Sequence, residues 1–438
     1  MNKTKKIFTT LILVLISIVL VSCKNNQKEL NLDVIKEEHR LSFNYLWEAA
    51  NTNKESNGYG LVRDRYPGNP SLSSVAAVGF ALAAIPAAVE NGWISYEEGF
   101  ERVDGTLDTL LTLERTEGFY YHFVNIATGL RSPGSEVSII DTGLMLAGAI
   151  VAGEYFEGEV LNKVNEIYDG INWEFYINPN TNMFYMGYSP EHGFSGAWDH
   201  VSEQLILYVL AAGSKTYPTD RSLYYKMKDI SARSYTYHND ETEESFIYTY
   251  NGSLFQYQFS HAFIDFRNII DLDLTNWFEN SVLATRAHYN YVINESHKYK
   301  TYSENSWGLS AGDGPTGYLA FGGGPAKNNV HNGTITPYAA LASINYLEEE
   351  AVNAANHFRE IEELWGEFGF KDSYNLGPRD DSYNPIIANA TPWYVNDYIG
   401  IDKGITFLMI ENYFSEIIWD NFMKNENVIN GLEVLGFN

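Results

Sequence analysis

The sequence contains very little cysteine and few basic residues, and each shortage excludes classes of protein. Cys23 is the only cysteine among 438 residues, so the chain forms no intramolecular disulfide and contains no cluster of thiolate metal ligands. Lys and Arg together number 29 against 56 Asp and Glu, which gives a formal net charge of −27 at pH 7. Phosphates of nucleic acids and anionic lipid head groups repel so acidic a chain. Nucleic acid binders are therefore excluded, and neutral or cationic partners remain.

Long apolar runs are also scarce, and the one at the N-terminus indicates export. Lysines at positions 3, 5 and 6 precede the apolar residues 7–21, a run shorter than the about 20 residues that a membrane-spanning helix needs. Residues 20–23 then follow the pattern of a bacterial lipobox. We therefore expect a signal peptide at residues 1–22, a lipid on Cys23 and a tether at residues 23–34. The protein is then held in the cell envelope, on the periplasmic side or on the outer surface of the outer membrane. A transmembrane anchor with an incidental cysteine is the alternative.

Helical periodicity dominates from residue 29 onward. Val137, Ile140 and Leu144 recur in steps of three and four, which is typical of a helix with one buried face. The predicted helices are residues 32–50, 73–90, 95–114, 137–156, 159–172, 200–213, 219–231, 262–270, 277–295, 337–348, 349–364 and 403–423. Amphipathic helices alternate with helices that are apolar nearly all round. This alternation predicts an all-α fold, an (α/α)6 barrel formed by a single domain at residues 35–438, with two separate helical bundles as the alternative.

The loops between the predicted helices are long, and long loops in a compact domain are usually functional. They contain no zinc-protease, EF-hand, Walker or nucleophile-elbow motif, and the ten histidines lack metal-ligand spacing. We therefore expect no metal and no cofactor. What remains is carboxylates set among aromatic residues, which make up 15% of the chain. This combination is the equipment of glycoside hydrolysis, because aromatic faces stack on sugar rings and carboxyls transfer protons.

Glu203 is a candidate general acid. It precedes the strongly apolar residues 205–210, and if the helix begins by Asp199, then Asp199 and Glu203 lie on one face beside Trp198. A carboxyl at the head of so apolar a helix is partly desolvated, and desolvation raises its pKa as a general acid requires. A structural glutamate bonded to neighbouring loop backbone is the alternative.

Other loop residues are candidates for binding a substrate. Asp141 lies one turn into a predicted helix among apolar residues, where a buried carboxylate needs a partner. Helix capping explains Glu136 equally well, a structural ion pair explains Asp265 with Arg267, and an N-cap position explains Asp402. The candidate substrate-binding residues are Tyr121, His122, Arg131, Glu136, Asp141, Glu191, His192, Trp198, Asp199, His261, Arg267, Trp307, Asp313, Trp393 and Tyr394.

Six segments occur in a fixed order: G-F-Y-Y-H-F at 118–123, S-E-V-S-I-I-D-T at 135–142, P-E-H-G-F-S-G-A-W-D-H-V-S-E-Q at 190–204, S-H-A-F-I-D-F-R-N at 260–268, W-G-L-S-A-G-D-G-P-T-G-Y at 307–318 and I-G-I-D-K-G at 399–404. Together they resemble the bacterial glucoamylase-like domain of glycoside hydrolase family 144, from about residue 35 to the C-terminus. The resemblance implies an (α/α)6 barrel and an inverting endo-β-1,2-glucanase that releases sophorooligosaccharides. It also implies Glu203 as the general acid and Asp402 as the general base. Asn125, Ile140 and Lys403 depart from the residues usual in that family.

The residues and the resemblance agree on carboxylate chemistry. They predict a monomeric, exported lipoprotein whose partner is an oligo- or polysaccharide glucan and whose only membrane contact is its lipid anchor. Two alternatives stay open, a glycan-binding lipoprotein without catalysis and an (α/α)6 hydrolase that acts on another glycan. A protein that only binds glycans does not need a desolvated acid opposite a base. The presence of both Glu203 and Asp402 therefore favours a glycoside hydrolase over a binding protein.

Overall fold

Helices of two kinds alternate along the chain. The computed structural model describes residues 30–239 and 242–438, so Cys23 and the predicted signal peptide lie outside the described residues. The α-helices are Asp33–Glu48 (α1), Val75–Glu90 (α2), Tyr96–Thr112 (α3), Ile139–Phe156 (α4), Gly158–Asp169 (α5), Leu205–Gly213 (α6), Ser222–Ser234 (α7), Trp277–Glu295 (α8), Pro337–Leu341 (α9), Glu348–Arg359 (α10), Pro385–Ala390 (α11), Gly400–Phe414 (α12), Ile417–Met423 (α13) and Glu426–Leu435 (α14). Residues 33–438 form one compact unit.

The helices that are apolar all round form an inner ring. Helices α2, α4, α6, α9 and α12 are buried on nearly every side, whereas α1, α3, α5, α7, α8 and α10 each bury one face. Within the inner ring α2 packs on α4, α4 on α6, α9 on α12, and α12 on α2. The sixth inner position is filled by the 3-10 turns Leu254–Tyr257 and Ser260–Ala262. This arrangement confirms the predicted all-α (α/α)6 barrel.

Hydrogen bonds attach the sixth position to its neighbours. The Ser260 hydroxyl accepts from the backbone N–H of Ile206 in α6, and the Gln258 side chain donates to the carbonyl of Ala339 in α9. The backbones of α2 and α4 approach each other closely, because Gly79 and Gly148 meet where the two helices pack. A Cβ on Gly148 would lie 1.8 Å from the carbonyl oxygen of Gly79, so only glycine permits this approach.

Helix α4 has the length and composition of a membrane-spanning helix, and it alone does so within the described residues. Most of it is buried inside the protein, because it belongs to the inner ring of the barrel. Its apolar surface therefore serves packing against α2 and α6.

Short antiparallel ladders tie the long loops together. The strands are Arg65–Tyr66 (β1), Leu72–Ser74 (β2), Arg115–Thr116 (β3), Phe119–Tyr120 (β4), Phe123–Asn125 (β5), Val137–Ser138 (β6), Ile177–Asn178 (β7), Met183–Phe184 (β8), Gly187–Ser189 (β9), Gly193–Ser195 (β10), Thr236–His238 (β11), Ser245–Ile247 (β12), Ala311–Gly312 (β13), Leu319–Ala320 (β14), Trp365–Gly366 (β15), Gly369–Phe370 (β16), Tyr374–Asn375 (β17), Trp393–Tyr394 (β18) and Tyr398–Ile399 (β19). Strand β1 pairs with β19, which brings the loop before α2 to the start of α12.

Two predicted helix positions are wrong, and side-chain hydrogen bonds explain both. Helix α6 begins at Leu205 and not at residue 200, because the Gln204 side chain accepts from the Ser202 N–H and donates to the His200 carbonyl. Residues 262–270 form no helix after the 3-10 turn, because the Asp265 carboxylate accepts from the backbone N–H two residues later. Such local bonds offer the backbone an alternative to the helical pattern.

The predicted helix 403–423 is divided in two. Glu416, between α12 and α13, has φ 61°, a left-handed conformation that no right-handed helix continues. Helix α14 lies outside the predicted helices, although its N-cap Asn425 accepts from the backbone N–H groups of Asn427 and Val428.

Candidate active site

Carboxylates gather where the inner helices begin. Along the chain one outer helix lies between each element of the inner ring and the next, and the short helix α11 is added before α12. The inner helices therefore run in the same direction and start at the same end of the barrel. Asp141 lies in the first turn of α4, Asp402 in the first turn of α12, and Glu203 two residues before α6. We call this end the mouth, defined by Asp141, Glu203 and Asp402. Helix α6 is third and α12 sixth around the ring, which puts Glu203 and Asp402 on opposite sides of the mouth.

Glu203 has the environment of a proton donor. Burial raises the pKa of its carboxyl, the hydrogen bond from the Ser202 hydroxyl at 2.6 Å opposes this rise, and the nearby charge of Asp141 adds to it. The Gln256 side chain donates in turn to the Ser202 hydroxyl at 2.6 Å. A carboxyl with a raised pKa keeps its proton closer to neutral pH, where it can be given to a leaving group. The predicted helical face shared by Asp199 and Glu203 is wrong, because α6 starts only after both residues.

Asp402 is nearly inaccessible and strongly perturbed. Asp402 is 2% exposed, and burial raises the pKa of its carboxyl well above the usual value. The negative charges of Asp372, Asp64 and Asp313 raise this pKa further. The interpretation of Asp402 as an N-cap is wrong. Pairing of β19 with β1 carries extended chain up to Ile399, which is the N-cap, and Asp402 therefore lies inside the helix.

Arg65 joins three loops at the mouth. Its guanidinium donates to Asp313 at 2.9 Å and to Asp397 at 3.1 Å, and it lies 3.8 Å from the Asp64 carboxylate. Burial disfavours its charge, but these carboxylates outweigh burial and raise its pKa. Burial also raises the pKa of Asp64, and Asp141 and Asp313 raise it further, while Arg65 and His122 lower it. Asp313 is thus held by Arg65 at the edge of the acidic cluster.

His122 is the second cation of the mouth. Its Nδ1 lies 2.8 Å from Glu136, its Nε2 lies 3.6 Å from Asp141, and its ring stacks on Phe123 with centroids 3.7 Å apart. Burial disfavours the charged imidazole, but Asp141, Glu136 and Asp64 outweigh burial and raise the pKa of His122 to about 9. A charged imidazolium therefore bridges Glu136 and Asp141 at neutral pH.

The predicted rim residues lie in ion pairs and strands. Arg131 donates to Glu191 through two nitrogens, at 2.5 and 2.9 Å, and its guanidinium lies over the Tyr121 ring. The Asp199 carboxylate is exposed and lies 2.6 Å from Nδ1 of His200. The other predicted residues of the rim differ in exposure: His192 is exposed, Trp393 and Tyr394 in β18 are half-buried, and Trp198 is buried.

Three predicted substrate-binding residues are committed to the protein itself. His261 is buried and bonds the Trp277 carbonyl, and Trp307 is fully buried with its indole N–H on the Glu350 carbonyl. Arg267 forms the ion pair with Asp265 that was the alternative interpretation, and it also pairs with Glu416, which lies between α12 and α13. For these three residues we correct the prediction, since packing encloses the two rings and two carboxylates bind the guanidinium.

Sequence reasoning missed Asp64, Arg65 and Asp372. None of them lies in a periodic segment, and the β1–β19 ladder and a bond from the Asp372 N–H to the Asp397 carbonyl bring them to the mouth. A carboxylate among aromatic residues in the loop after residue 370 is the one signal that pointed toward Asp372. Among the residues that the structure describes, no group of three or more His, Cys, Asp or Glu side chains is arranged to hold a metal ion.

The barrel and its mouth define a class, the (α/α)6 proteins with buried carboxyls around one opening. A family model described as "Putative glucoamylase" matches residues 195–426, which is more than half of the chain. The chain belongs to this glucoamylase family, as the resemblance of the six segments predicted.

Three similar proteins align with nearly the whole chain. An exo β-1,2-glucooligosaccharide sophorohydrolase (non-reducing end) of Parabacteroides distasonis is 27% identical over 92% of this chain, and the match covers 57% of that protein. The chain thus spans little more than half the length of this relative. A solved endo-β-1,2-glucanase of Chitinophaga pinensis, in complex with sophorotriose and glucose, is 25% identical with a TM-score of 0.80, covering 92% of this chain and 98% of that one. A solved "putative glucoamylase" of Bacteroides uniformis is 29% identical with a TM-score of 0.81, covering 94% and 99%.

Proposed function

We propose that the protein is a glycoside hydrolase that cleaves β-1,2-glucan and releases sophorooligosaccharides. The observation that carries this proposal is a pair of carboxyls with raised pKa on opposite sides of one mouth, the half-buried Glu203 and the buried Asp402. Two relatives that cover at least nine-tenths of this chain act on β-1,2-linked glucose, which supports the linkage. A glycan-binding protein would gain nothing from holding two carboxyls out of water, since burial of a charge costs free energy.

The proposed mechanism uses the two carboxyls in different roles. Glu203 gives its proton to the glycosidic oxygen as the bond to the anomeric carbon breaks. Asp402 takes a proton from the water, directly or through a substrate hydroxyl, as the water oxygen bonds to that carbon. Their positions on opposite sides of the mouth leave room for this water, and a single displacement inverts the anomeric carbon.

A panel of linear glucans tests the function. The protein is incubated with β-1,2-, β-1,3-, β-1,4- and α-1,4-glucans, and the products are separated by thin-layer chromatography. We expect short oligosaccharides from the β-1,2-glucan alone. Binding of the β-1,2-glucan without any product would instead support the glycan-binding alternative, and products from another linkage would support the second alternative.

Inversion makes a prediction about the first product anomer. Because the β-linkage is displaced once, the new reducing end must appear as the α-anomer. Proton NMR during the first minutes of hydrolysis, before mutarotation equilibrates the anomers, reads this directly. A β-anomer as the first product would contradict the inverting mechanism and the role of Asp402 as a base toward water.

We further propose that the mature protein is a lipid-anchored lipoprotein of the cell envelope, on the strength of the lipobox at residues 20–23. Since acylation uses the thiol of Cys23, Cys23→Ala is expected to abolish incorporation of labelled palmitate during expression in a bacterial host. The unchanged sequence serves as the control. Continued labelling of the alanine variant would refute the anchor.

A further inference from the structure

Two buried carboxyls lie against each other beneath the mouth. Asp372 is 4% exposed and Asp402 is 2% exposed, and their carboxyl groups are in hydrogen-bonding contact. Two ionised carboxylates cannot form a hydrogen bond, because neither contains a donor. The contact is therefore favourable only if one of the two carries a proton, as in other carboxyl pairs that share a site.

The remaining partners of the pair are unequal. Asp372 Oδ2 accepts from the backbone N–H of Asp313 at 2.7 Å and from the hydroxyl of Ser373 at 3.0 Å. Asp372 Oδ1 and Asp402 Oδ2 are buried, and no donor of another described residue bonds either of them. Both side chains line a cavity of about 10 Å³, which at most admits one water molecule. Bulk water therefore cannot satisfy the two free oxygens.

We propose that Asp372 is a positioning residue for Asp402 and that the two carboxyls share one proton, which moves from Asp402 to Asp372 as Asp402 accepts another proton from water. This role rests on the proposed function, in which Asp402 is the base. The two hydrogen bonds that Asp372 Oδ2 accepts favour the ionised form of Asp372, so the shared proton rests on Asp402. Once this proton has moved to Asp372, Asp372 donates the hydrogen bond to the Asp402 carboxylate, which is then anionic and fixed in orientation although it is buried.

The proton count of the reaction then closes. Before the reaction the pair carries one proton and Glu203 carries another. As the glycosidic bond breaks, the Glu203 proton moves to the leaving oxygen, and a water proton moves to Asp402 while the water oxygen bonds to the anomeric carbon. The pair then carries two protons and Glu203 none. Return of one proton from the pair to Glu203 through solvent restores the starting state.

The charges around the pair favour retention of one proton. Burial raises the pKa of both carboxyls, and the negative charge of Asp313 raises both further. The groups that face the pair from the neighbouring loops and helices are Asp64, Asp313, Tyr318, Tyr338 and Lys403. Lys403 is the cation among them, and its ammonium is already paired with the buried carboxylate of Glu38. A second full negative charge on the pair therefore lacks a free counterion.

Infrared spectroscopy of the free protein tests the shared proton without any substrate. The spectra are recorded in the Glu203→Gln background, so that the proton of Glu203 adds no band. Near neutral pH we expect a carboxylic acid C=O band that disappears when Asp372→Asn or Asp402→Asn is added, because either change leaves a lone carboxylate beside an amide donor. Asp397→Asn is the matched control, because it removes a side-chain carboxylate that binds Arg65 and not the pair, and it leaves the backbone carbonyl that bonds Asp372 in place. Loss of the band in both variants but not in the control supports the proposal. A band that survives either change shows that the proton belongs to one residue alone and overturns it.

Activity supplies a second readout that separates positioning from mere packing. The side-chain amide introduced by Asp372→Asn would donate an N–H to Asp402 as the protonated acid does, whereas the alanine variant offers no donor. We therefore expect Asp372→Ala to have a kcat about 100-fold below that of Asp372→Asn, with the acidic limb of its kcat/KM profile displaced to higher pH. Equal losses and equal pH profiles would overturn the role of Asp372. If the unchanged protein hydrolyses no glucan, the proposed function fails, and the infrared result still decides the shared proton.

Discussion

Glu203→Gln is expected to lower kcat on β-1,2-glucan by about 10² to 10⁴ while the protein stays folded. The amide matches the carboxyl in shape and still accepts the hydrogen bond from Ser202 that orients the side chain. It cannot give a proton to the glycosidic oxygen, and a sugar alkoxide is a poor leaving group without one. Thermal unfolding of the variant, compared with the unchanged protein, checks that the loss is chemical.

The pH profile makes this prediction specific. A general acid must be protonated, so the rate falls as the pH rises through the pKa of that acid. Because burial raises the pKa of Glu203, the rate of the unchanged protein should fall at a higher pH than an exposed glutamate would give. In Glu203→Gln the residual rate should therefore no longer fall at alkaline pH.

An aryl glucoside with a good leaving group, where it is accepted, should lose less of its hydrolysis rate in Glu203→Gln than the glucan does. Glu433→Gln on the exposed side of α14 is a matched change of charge and should leave the rate as it is. A Glu203→Gln variant that keeps more than about a tenth of the rate would remove Glu203 from the role of acid.

The barrel was predictable because its physical cause is visible in the sequence. Residues 205–210 and 405–410 are apolar on all sides, and a helix of this kind must be surrounded by other helices. What periodicity could not predict was where helices start. Gln204 and Asp265 bond nearby backbone groups through their side chains, and these bonds replace helical turns at residues 200–204 and 262–270.

The candidate site was predictable to the extent that its residues begin helices. Glu203 and Asp402 each stand at the head of an apolar segment, where a carboxyl is conspicuous. Asp372 and Arg65 come from loops without a period, and ladders between distant segments bring them to the mouth. His261 and Trp307 show the opposite error. Polar and aromatic residues in a motif suggest a binding surface, and we predicted one for both residues. In the structure both side chains are buried in the core.

Asp402→Asn is expected to abolish hydrolysis as severely as Glu203→Gln, by about 10² to 10⁴ in kcat, but for the opposite reason. The leaving oxygen can still be protonated, and what fails is the activation of water. Azide needs no base to become a nucleophile, so it should restore part of the turnover in Asp402→Asn. The same azide should not restore Glu203→Gln on the glucan, because there the leaving group lacks its proton.

The product of the azide reaction decides the geometry. If azide takes the place of the water on the face opposite the leaving group, a single displacement of a β-linkage yields an α-glycosyl azide. NMR of the isolated azide identifies its anomer without interference from mutarotation. A β-glycosyl azide would mean two displacements through a covalent intermediate. In that case Asp402 would not act on water, and a second carboxylate of the mouth would have to lie about 5 to 5.5 Å from the acid as the nucleophile.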